Sequence, residues 1–397
     1  MGFEFSFTPD QEAFREAVRA FLEREVRPIV AAMDESETFP TATVRKMQAE
    51  GYFGVPVPEE YGGLGLGKVG YCVLLEEIGK VDASHAAIVG AHTSLGVTPL
   101  LAYGTEEQKK RWLVPAAKGE KLLAVSLTEP GSGSDSGAVH TVAQPDGDGW
   151  TLTGTKIYVT NGQEADTVLV MAANDAKKGP SGGVTAFLLD KGLPGFSVGR
   201  CEKKMGLHGT STAELILDHV HVGPERVLHE VGKGFHVAMT ALDVGRVSLG
   251  AASLGGMQAA CGEALAFAQN RTQFGLPISE YEAIQFKLAD MAMSIHALRL
   301  MVYHAAANQD RLGSDPSKWG RLERAAKTRE AAVVKCLASE WASDVIDEAL
   351  QIHGGLGYIR GTPIERAYRD ARISEIFEGT NEIQRVVIAR DLMSRGL

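Results

Sequence analysis

The spacing of the apolar residues changes twice along the chain, and that constrains the fold more than any single motif. Through residues 9–30, Phe14, Val18, Phe21, Leu22 and Val26 recur at the period of an amphipathic helix. Residues 44–50, 70–80 and 106–117 read the same way, the last with Thr105 as N-cap, and a proline- and glycine-rich loop spans 55–67. From about Lys121 the texture becomes short β-rich runs: LLAVSLTE, WTLTGTKIYVTN, DTVLVMAAN, GVTAFLLD and AELILDHVHV. Asp146-Gly147-Asp148-Gly149 between two of them predicts a tight hairpin. After Gly234 the helical period returns over 235–270, 280–311 and 319–352, with short helices after Pro363 and Asn381. Strands that follow one another without helices between them exclude a doubly wound βαβ sheet. The expected fold class is α+β multidomain: an all-α N-terminal domain at 1–120, an antiparallel β-domain at 121–234 and a helical bundle at 235–397.

Composition narrows the function. With 40 basic and 50 acidic residues the net charge is −10, which argues against nucleic-acid binding through bulk electrostatics. Forty-five glycines in 397 residues, against a usual share near ~7%, imply backbone brought close to something else. The four cysteines (72, 201, 261 and 336) lie far apart with no C-x-x-C pair, so neither a metal site nor a disulfide framework is expected. The N-terminus carries early acids and lacks an apolar segment, unlike a signal peptide. Residues 83–105 hold no Asp, Glu, Lys or Arg, yet His85, His92, Ser84, Ser94 and Pro99 make them a buried helix, broken at Thr98-Pro99, rather than a membrane span. A cytoplasmic protein without membrane insertion is expected.

Several familiar signatures fail. GGLGLG at 62–67 has the wrong spacing for a dinucleotide loop and follows no strand. No phosphate-binding Walker loop is present. Gly209 to Ala213 is one residue short of a nucleophile elbow, and His229-Glu230 lacks the second histidine of a zincin. Other runs carry more. Residues 127–135, LTEPGSGSD, leave bare amides and hydroxyls suited to a phosphate or a polar ring edge, or simply form a surface turn. KIYVTNG at 156–162 ends a strand; alone it reads as a hairpin end. Arg271-Thr272-Gln273-Phe274-Gly275 reads alone as a helix C-cap, with Gly275 just past the end. QIHGGLGY at 351–358 places three glycines in four positions where one would cap a helix, so a ligand or second chain approaching closely gains weight. Glu378, between Phe377 and Gly379, precedes a helix that Asn381 would cap with Gln384 in the capping-box position. Desolvation there would raise its pKa, the condition for a general base; an exposed loop acid is the plainer alternative.

In this order and at these spacings, LTEPGSGSD, KIYVTNG, RTQFG, QIHGGLGY and IFEGTNEIQR resemble the acyl-CoA dehydrogenase family over essentially the whole chain. AHTSL, YGTEEQKK, GEK and LDVGR look closest to its short-chain, butyryl-CoA branch. The resemblance implies an N-terminal helical domain, a middle β-domain and a C-terminal four-helix bundle, assembled as a homotetramer with FAD shared between neighbours. Val125, Leu127, Thr128, Gly133 and Ser134 would line the flavin, with Tyr158, Val159 and Thr160 against its other face. Tyr158 stands where tryptophan is common. Arg271 and Phe274 would reach the neighbour's FAD, as would Gln351, Ile352, Gly354 and Gly355. Thr380 and Glu382 would complete the contacts at a helix N-terminus, where the dipole favours phosphate, and Glu282 occupies a position where glutamine is frequent.

The same resemblance makes Glu378 the base that removes the pro-R α-proton of an acyl-CoA. Its own N–H and a ribityl hydroxyl would hold the thioester oxygen, and a β-hydride would pass to flavin N5, leaving the trans-2-enoyl-CoA. Some branches carry the base directly before the arginine of the LDxxR-like segment. Here that position is Gly245, before Arg246, which argues for Glu378. Asp243, Arg246, Ser134 and Gly379 would contact substrate or orient the base, and an electron-transfer flavoprotein would take the electrons. The acyl group is expected to be short, with branched 2-methyl and medium-chain acyl groups as alternatives. An oxidase, whose relatives are usually longer, and a non-catalytic acyl-CoA-binding paralogue, which would have lost the base, fit less well. Nitroalkane oxidation would favour aspartate at 378.

Overall fold

The computed structural model describes residues 7–396. The N-terminal reading at residues 1–6 lies outside them. A helical run opens with α1 (Pro9–Phe21), capped by a reciprocal Thr8–Gln11 box, and continues through π and 3-10 turns to Ser36. Next come α2 (Thr41–Ala49), α3 (Gly67–Gly79) and α4 (Ala83–Tyr103). Thr105 caps the following helical turns with Gln108, as expected from sequence. The expected break at Thr98-Pro99 does not occur. A π turn over Ala91–Val97 widens the helix ahead of the proline ring, and the Thr98 N–H and hydroxyl both bond the Thr93 carbonyl. The ring is thereby accommodated without ending the helix.

The β-domain has eight strands: β1 (Leu123–Ser126), β2 (Val142–Asp146), β3 (Gly149–Thr160), β4 (Thr167–Ala173), β5 (Val184–Asp190), β6 (Phe196–Cys201), β7 (Thr212–Val222) and β8 (Val227–Leu228). They order as β6-β7-β3-β2-β4-β5-β8. Asp146 pairs with Gly149 across the expected hairpin, with Gly147 at φ 62°. Most pairings are antiparallel, but β1 runs parallel to β4 (Leu123 to Ser126 against Thr167 to Val170), and β2 touches β4 in the same sense. The long segment between β1 and β4 allows the crossover that a parallel pair requires.

The last part is built on α5 (Gly234–Asn270), α6 (Glu282–Leu312), α7 (Arg321–His353), α8 (Pro363–Ala371) and α9 (Asn381–Arg395). Between α5 and α6 a small hairpin pairs β9 (Thr272–Gln273) with β10 (Leu276–Pro277). Gly275 is therefore no helix cap. Phe274 and Gly275 are the two left-handed residues of the hairpin tip (φ 49° and 86°), the geometry of a type I′ turn. Nor does Asn381 cap α9. Thr380 accepts from the Ile383 N–H, because the Asn381 side chain is buried and already engaged by Lys335 and Ser339.

One apolar core joins α1 to α4 with the bundle helices, so the first helices lie against the last. A second joins the 97–117 helices to β4, β5 and the start of α5, and a third fills the β-domain. Among the described residues, α4 and α5 are long and apolar enough to cross a membrane, and both are mostly buried within the protein.

Candidate active site

Glu378 sits in the turn before α9 with φ 55°, a left-handed conformation that a glutamate rarely adopts. Two side chains hold that turn. Gln384 Nε2 donates to the carbonyls of Glu378 (3.3 Å) and Gly379 (2.8 Å), and Arg246 Nε approaches the Glu378 carbonyl at 3.5 Å. The carboxylate is turned inward. Its Oε2 is buried and has no hydrogen-bond partner. Burial pushes the Glu378 pKa up to about 7, against a smaller opposing pull from Arg246 and Lys335. An unpaired buried carboxylate is costly, and groups of this kind cluster at functional sites.

Across from the carboxylate lies α5. A Cβ built on Gly245 would stand 2.3 Å from Glu378 Oε2. A base at 245 and a base at 378 therefore exclude one another, and this chain has glycine at one and glutamate at the other. One residue on, the buried Arg246 is fixed by Asp243 (Nη1 to Oδ1, 3.1 Å). Asp243 is held in turn by the Thr328 hydroxyl on its other oxygen (2.6 Å) and by Gln309 Nε2 on its carbonyl (3.1 Å). Lys335, fully buried on α7, donates to Asn381 (2.7 Å), and burial lowers its pKa to about 8. Thr328, Gln309 and Lys335 lie on two helices and carry no local signature in sequence, and Gln384 reads there only as a capping-box residue. Only their three-dimensional convergence on Asp243 and on the Glu378 turn reveals them.

The β-domain contributes a second set. Val125, Leu127 and Thr128 are half-buried at the end of β1, and the Ile157 N–H donates to the Thr128 carbonyl (3.0 Å), tying that segment to β3. There Tyr158 takes φ 58° at a pairing irregularity and leaves its ring 61% exposed, with Thr160 half-buried two residues on. The Val159 side chain points into the β-core, which leaves only its main chain available to a ligand. The 127–135 segment is anchored by a pair that sequence reasoning missed. Buried Lys156 donates to Glu129 (2.6 Å) and to the Leu127 carbonyl (3.2 Å), while Glu129 accepts from the His140 and Thr141 amides. Gly133 and Ser134 stay exposed, and a Cβ on Gly133 would meet nothing within 4 Å.

The remaining residues gather at one end of the bundle. Phe267 of α5 stacks on His353 of α7, setting the Arg271–Phe274 hairpin beside the Gln351–Gly355 turn. Tyr281 reaches back to the Gln273 carbonyl (2.9 Å), which places Glu282, exposed at the start of α6, next to them. The Ile352 side chain is buried, whereas Gln351, Gly354 and Gly355 face outward and a Cβ on either glycine would meet open space. Phe274 is 95% exposed. At the α9 N-terminus the exposed Glu382 carboxylate has its pKa lowered by its own amide and by Thr380, so the terminal N–H groups attract negative charge.

These features fit a flavin nucleotide. Beside the unpartnered carboxylate lies a helix N-terminus for phosphate, the β-domain adds an exposed aromatic and bare backbone at Gly133, and the far end of the bundle adds bare backbone at Gly354 and Gly355. A separate cavity of about 470 Å³ opens at the start of α5, lined by His229, Lys233, His236, Met239 and Arg324 among others. Tyr103 stacks on His229 and hydrogen-bonds Thr240 at its edge.

Comparison with known proteins covers nearly all of the chain. Models of the acyl-CoA dehydrogenase N-terminal, middle and C-terminal domains match residues 8–120, 124–220 and 232–393. The chain is 42% identical over 388 residues to the short-chain specific acyl-CoA dehydrogenase of Clostridium acetobutylicum, covering 97% of this chain and 98% of that one. It is 43% identical over 387 residues to a 3-(aryl)acrylate reductase of Clostridium sporogenes, covering 98% and 99%. The solved three-dimensional structure of butyryl-CoA dehydrogenase from Megasphaera elsdenii superposes with a TM-score of 0.93 at 39% identity, covering 98% and 100%.

Proposed function

The chain belongs to the acyl-CoA dehydrogenase family, and from that membership we infer that it is an FAD-dependent oxidoreductase converting a short acyl-CoA to its trans-2-enoyl-CoA. The observation that carries this reading is the buried, unpartnered Glu378 carboxylate facing Gly245. In its ionised form Glu378 removes the α-proton. A carboxylate whose pKa has been pushed up to about 7 by burial is a stronger base than an ordinary one and is still substantially ionised at neutral pH. Arg246, pinned by Asp243, fixes the turn that aims it. The Glu378 N–H is assigned to the thioester oxygen, where negative charge develops as the proton leaves. Ser134 and Gly379 are assigned to the acyl-CoA as well.

FAD, when bound, supplies the acceptor for the β-hydride and hands the electrons to an electron-transfer flavoprotein. Thr128, Tyr158 and Thr160 would hold its ring, and Thr380 and Glu382 would stand at its phosphates. Arg271, Phe274, Glu282 and the 351–355 turn face away from the chain's own base, which supports a homotetramer in which each subunit completes a neighbour's cofactor site. The basic cavity at His229, Lys233, His236 and Arg324 suits the phosphates of CoA, since it opens within two turns of Asp243 on the same helix. Division into domains at 120/121 and 234/235 follows the same architecture. Unpaired thiols at all four cysteines support a cytoplasmic setting.

Anaerobic titration of the holoenzyme with acyl-CoAs of graded length and branching tests the reading. Butyryl-CoA should bleach the flavin; a protein that takes up FAD but is bleached by no acyl-CoA would overturn it.

A further inference from the structure

Three hydroxyls on three different helices meet next to the base. Tyr71 of α3 lies 2.9 Å from Ser94, in the π turn of α4, and Ser94 lies 2.8 Å from Ser248 of α5. Ser248 donates to the Gly245 carbonyl at 2.9 Å. That last bond fixes the direction of the others: Ser94 donates to Ser248, and Tyr71 to Ser94. Every hydroxyl hydrogen is used. All three side chains are buried.

The cluster occupies a specific place. Gly245 is the residue whose Cα faces the Glu378 carboxylate, and Ser248 follows it by one helical turn, about 4.5 Å along α5. The basic cavity opens at the other side of Gly245, around Lys233 to Met239. A thioester entering from that cavity with its α-carbon at Glu378 therefore directs its acyl tail toward Ser248, Ser94 and Tyr71. Ser94 also lies in the π turn, a departure from regular helix that recurs at functional sites. Burial and, further down, the Glu378 charge both push the Tyr71 pKa up, which places its hydroxyl within electrostatic reach of the base.

Resting on the reading of Glu378 as the base, we propose that Tyr71, Ser94 and Ser248 form the floor of the acyl pocket and restrict the enzyme to short, apolar acyl chains. Because the hydroxyl hydrogens are spent on one another and on the Gly245 carbonyl, the floor acts through volume and rigidity and offers no donor to a polar acyl terminus. Tyr71 supplies most of the volume. The serines lock its position through the α5 backbone that also faces the base.

The test is the ratio of kcat/KM for octanoyl-CoA to that for butyryl-CoA in the FAD-loaded enzyme. Tyr71→Ala should raise this ratio by about tenfold or more, since each methylene admitted to an apolar pocket is worth about that much. Tyr71→Phe keeps the volume and should leave the ratio near that of the wild type. Ser248→Val adds bulk to the floor and should penalise butyryl-CoA more than propionyl-CoA, which keeps the proposal testable if Tyr71→Ala does not fold. An unchanged ratio in an active Tyr71→Ala enzyme would overturn the floor while leaving Glu378 as the base. A wild-type holoenzyme bleached by no acyl-CoA would instead remove the reading on which the floor rests.

Discussion

Around Glu378 the chain is closed on itself, whereas the far end of the bundle is left open. Near the base, Arg246, Asp243, Thr328, Gln309 and Gln384 Nε2 are paired with one another or with backbone, and the buried oxygens left without a partner there are Glu378 Oε2 and Gln384 Oε1. At the 271–275 hairpin and the 351–355 turn, Phe274 is almost wholly exposed and two glycines look onto open space. Exposing a large aromatic at a hairpin tip gains nothing in an isolated chain. On the proposed reading this contrast divides the site: proton abstraction would be built within one chain, and part of the cofactor's binding would be completed for a neighbour.

Three changes would break or sharpen that division. The largest effect is expected from Gly245→Ala. Its methyl group would overlap Glu378 Oε2, and a base displaced by about 1 Å costs on the order of a hundredfold in turnover. FAD content and oligomeric state should not change, as absorbance and light scattering would show. Smaller and of a different kind are Arg271→Ala and Phe274→Ala. Each should weaken FAD binding by about tenfold or more, the loss expected of an aromatic or arginine anchor rather than of an average contact. Proton exchange at the substrate α-carbon in FAD-saturated enzyme should be retained. If Phe274→Ala left FAD affinity and assembly untouched, the exposed end would have no role in a neighbour's site.

The mildest effect follows from pH. The Glu378 pKa is raised from 4.5 to about 7 in the folded protein, so kcat/KM should climb as pH rises toward that value and level off above it. Stability should move oppositely. The folded state holds the proton more tightly than the unfolded one, so this group's contribution falls as pH rises from about 4.5 to about 7. Glu378→Gln should therefore melt higher than wild type at pH 8, with the difference shrinking toward pH 5. Equal melting temperatures at both pH values would show that the carboxylate is not desolvated.

Regular elements announced themselves in sequence where one face is buried. The helix around Phe14 and Val18 is an example; β4 and β5, buried on both faces, stood out instead as continuous apolar runs. β6 is short and mostly exposed, and β2 was recorded only by the turn that ends it, with Pro145 interrupting its pattern. The sheet's parallel pairing depends on a crossover that no local pattern records. At the site, Glu378 stood out because an acid flanked by Phe377 and Gly379 precedes a helix start. Its cap was misassigned because Asn381 is taken by Lys335, 46 residues away. Lys156 and Glu129 likewise look like ordinary strand and loop charges until folding buries them against each other. Pairing between distant positions is what a single sequence conceals.

The central claim is that Glu378 removes the proton whose loss permits hydride transfer. Mixing butyryl-CoA anaerobically with wild type and with Glu378→Gln, each loaded with FAD, tests it directly. The wild-type flavin should bleach within the mixing experiment. The variant should bind the thioester, shift the flavin spectrum and remain oxidised, with the rate lowered by at least about a thousandfold. A Glu378→Gln enzyme that bleached at the wild-type rate would contradict the account.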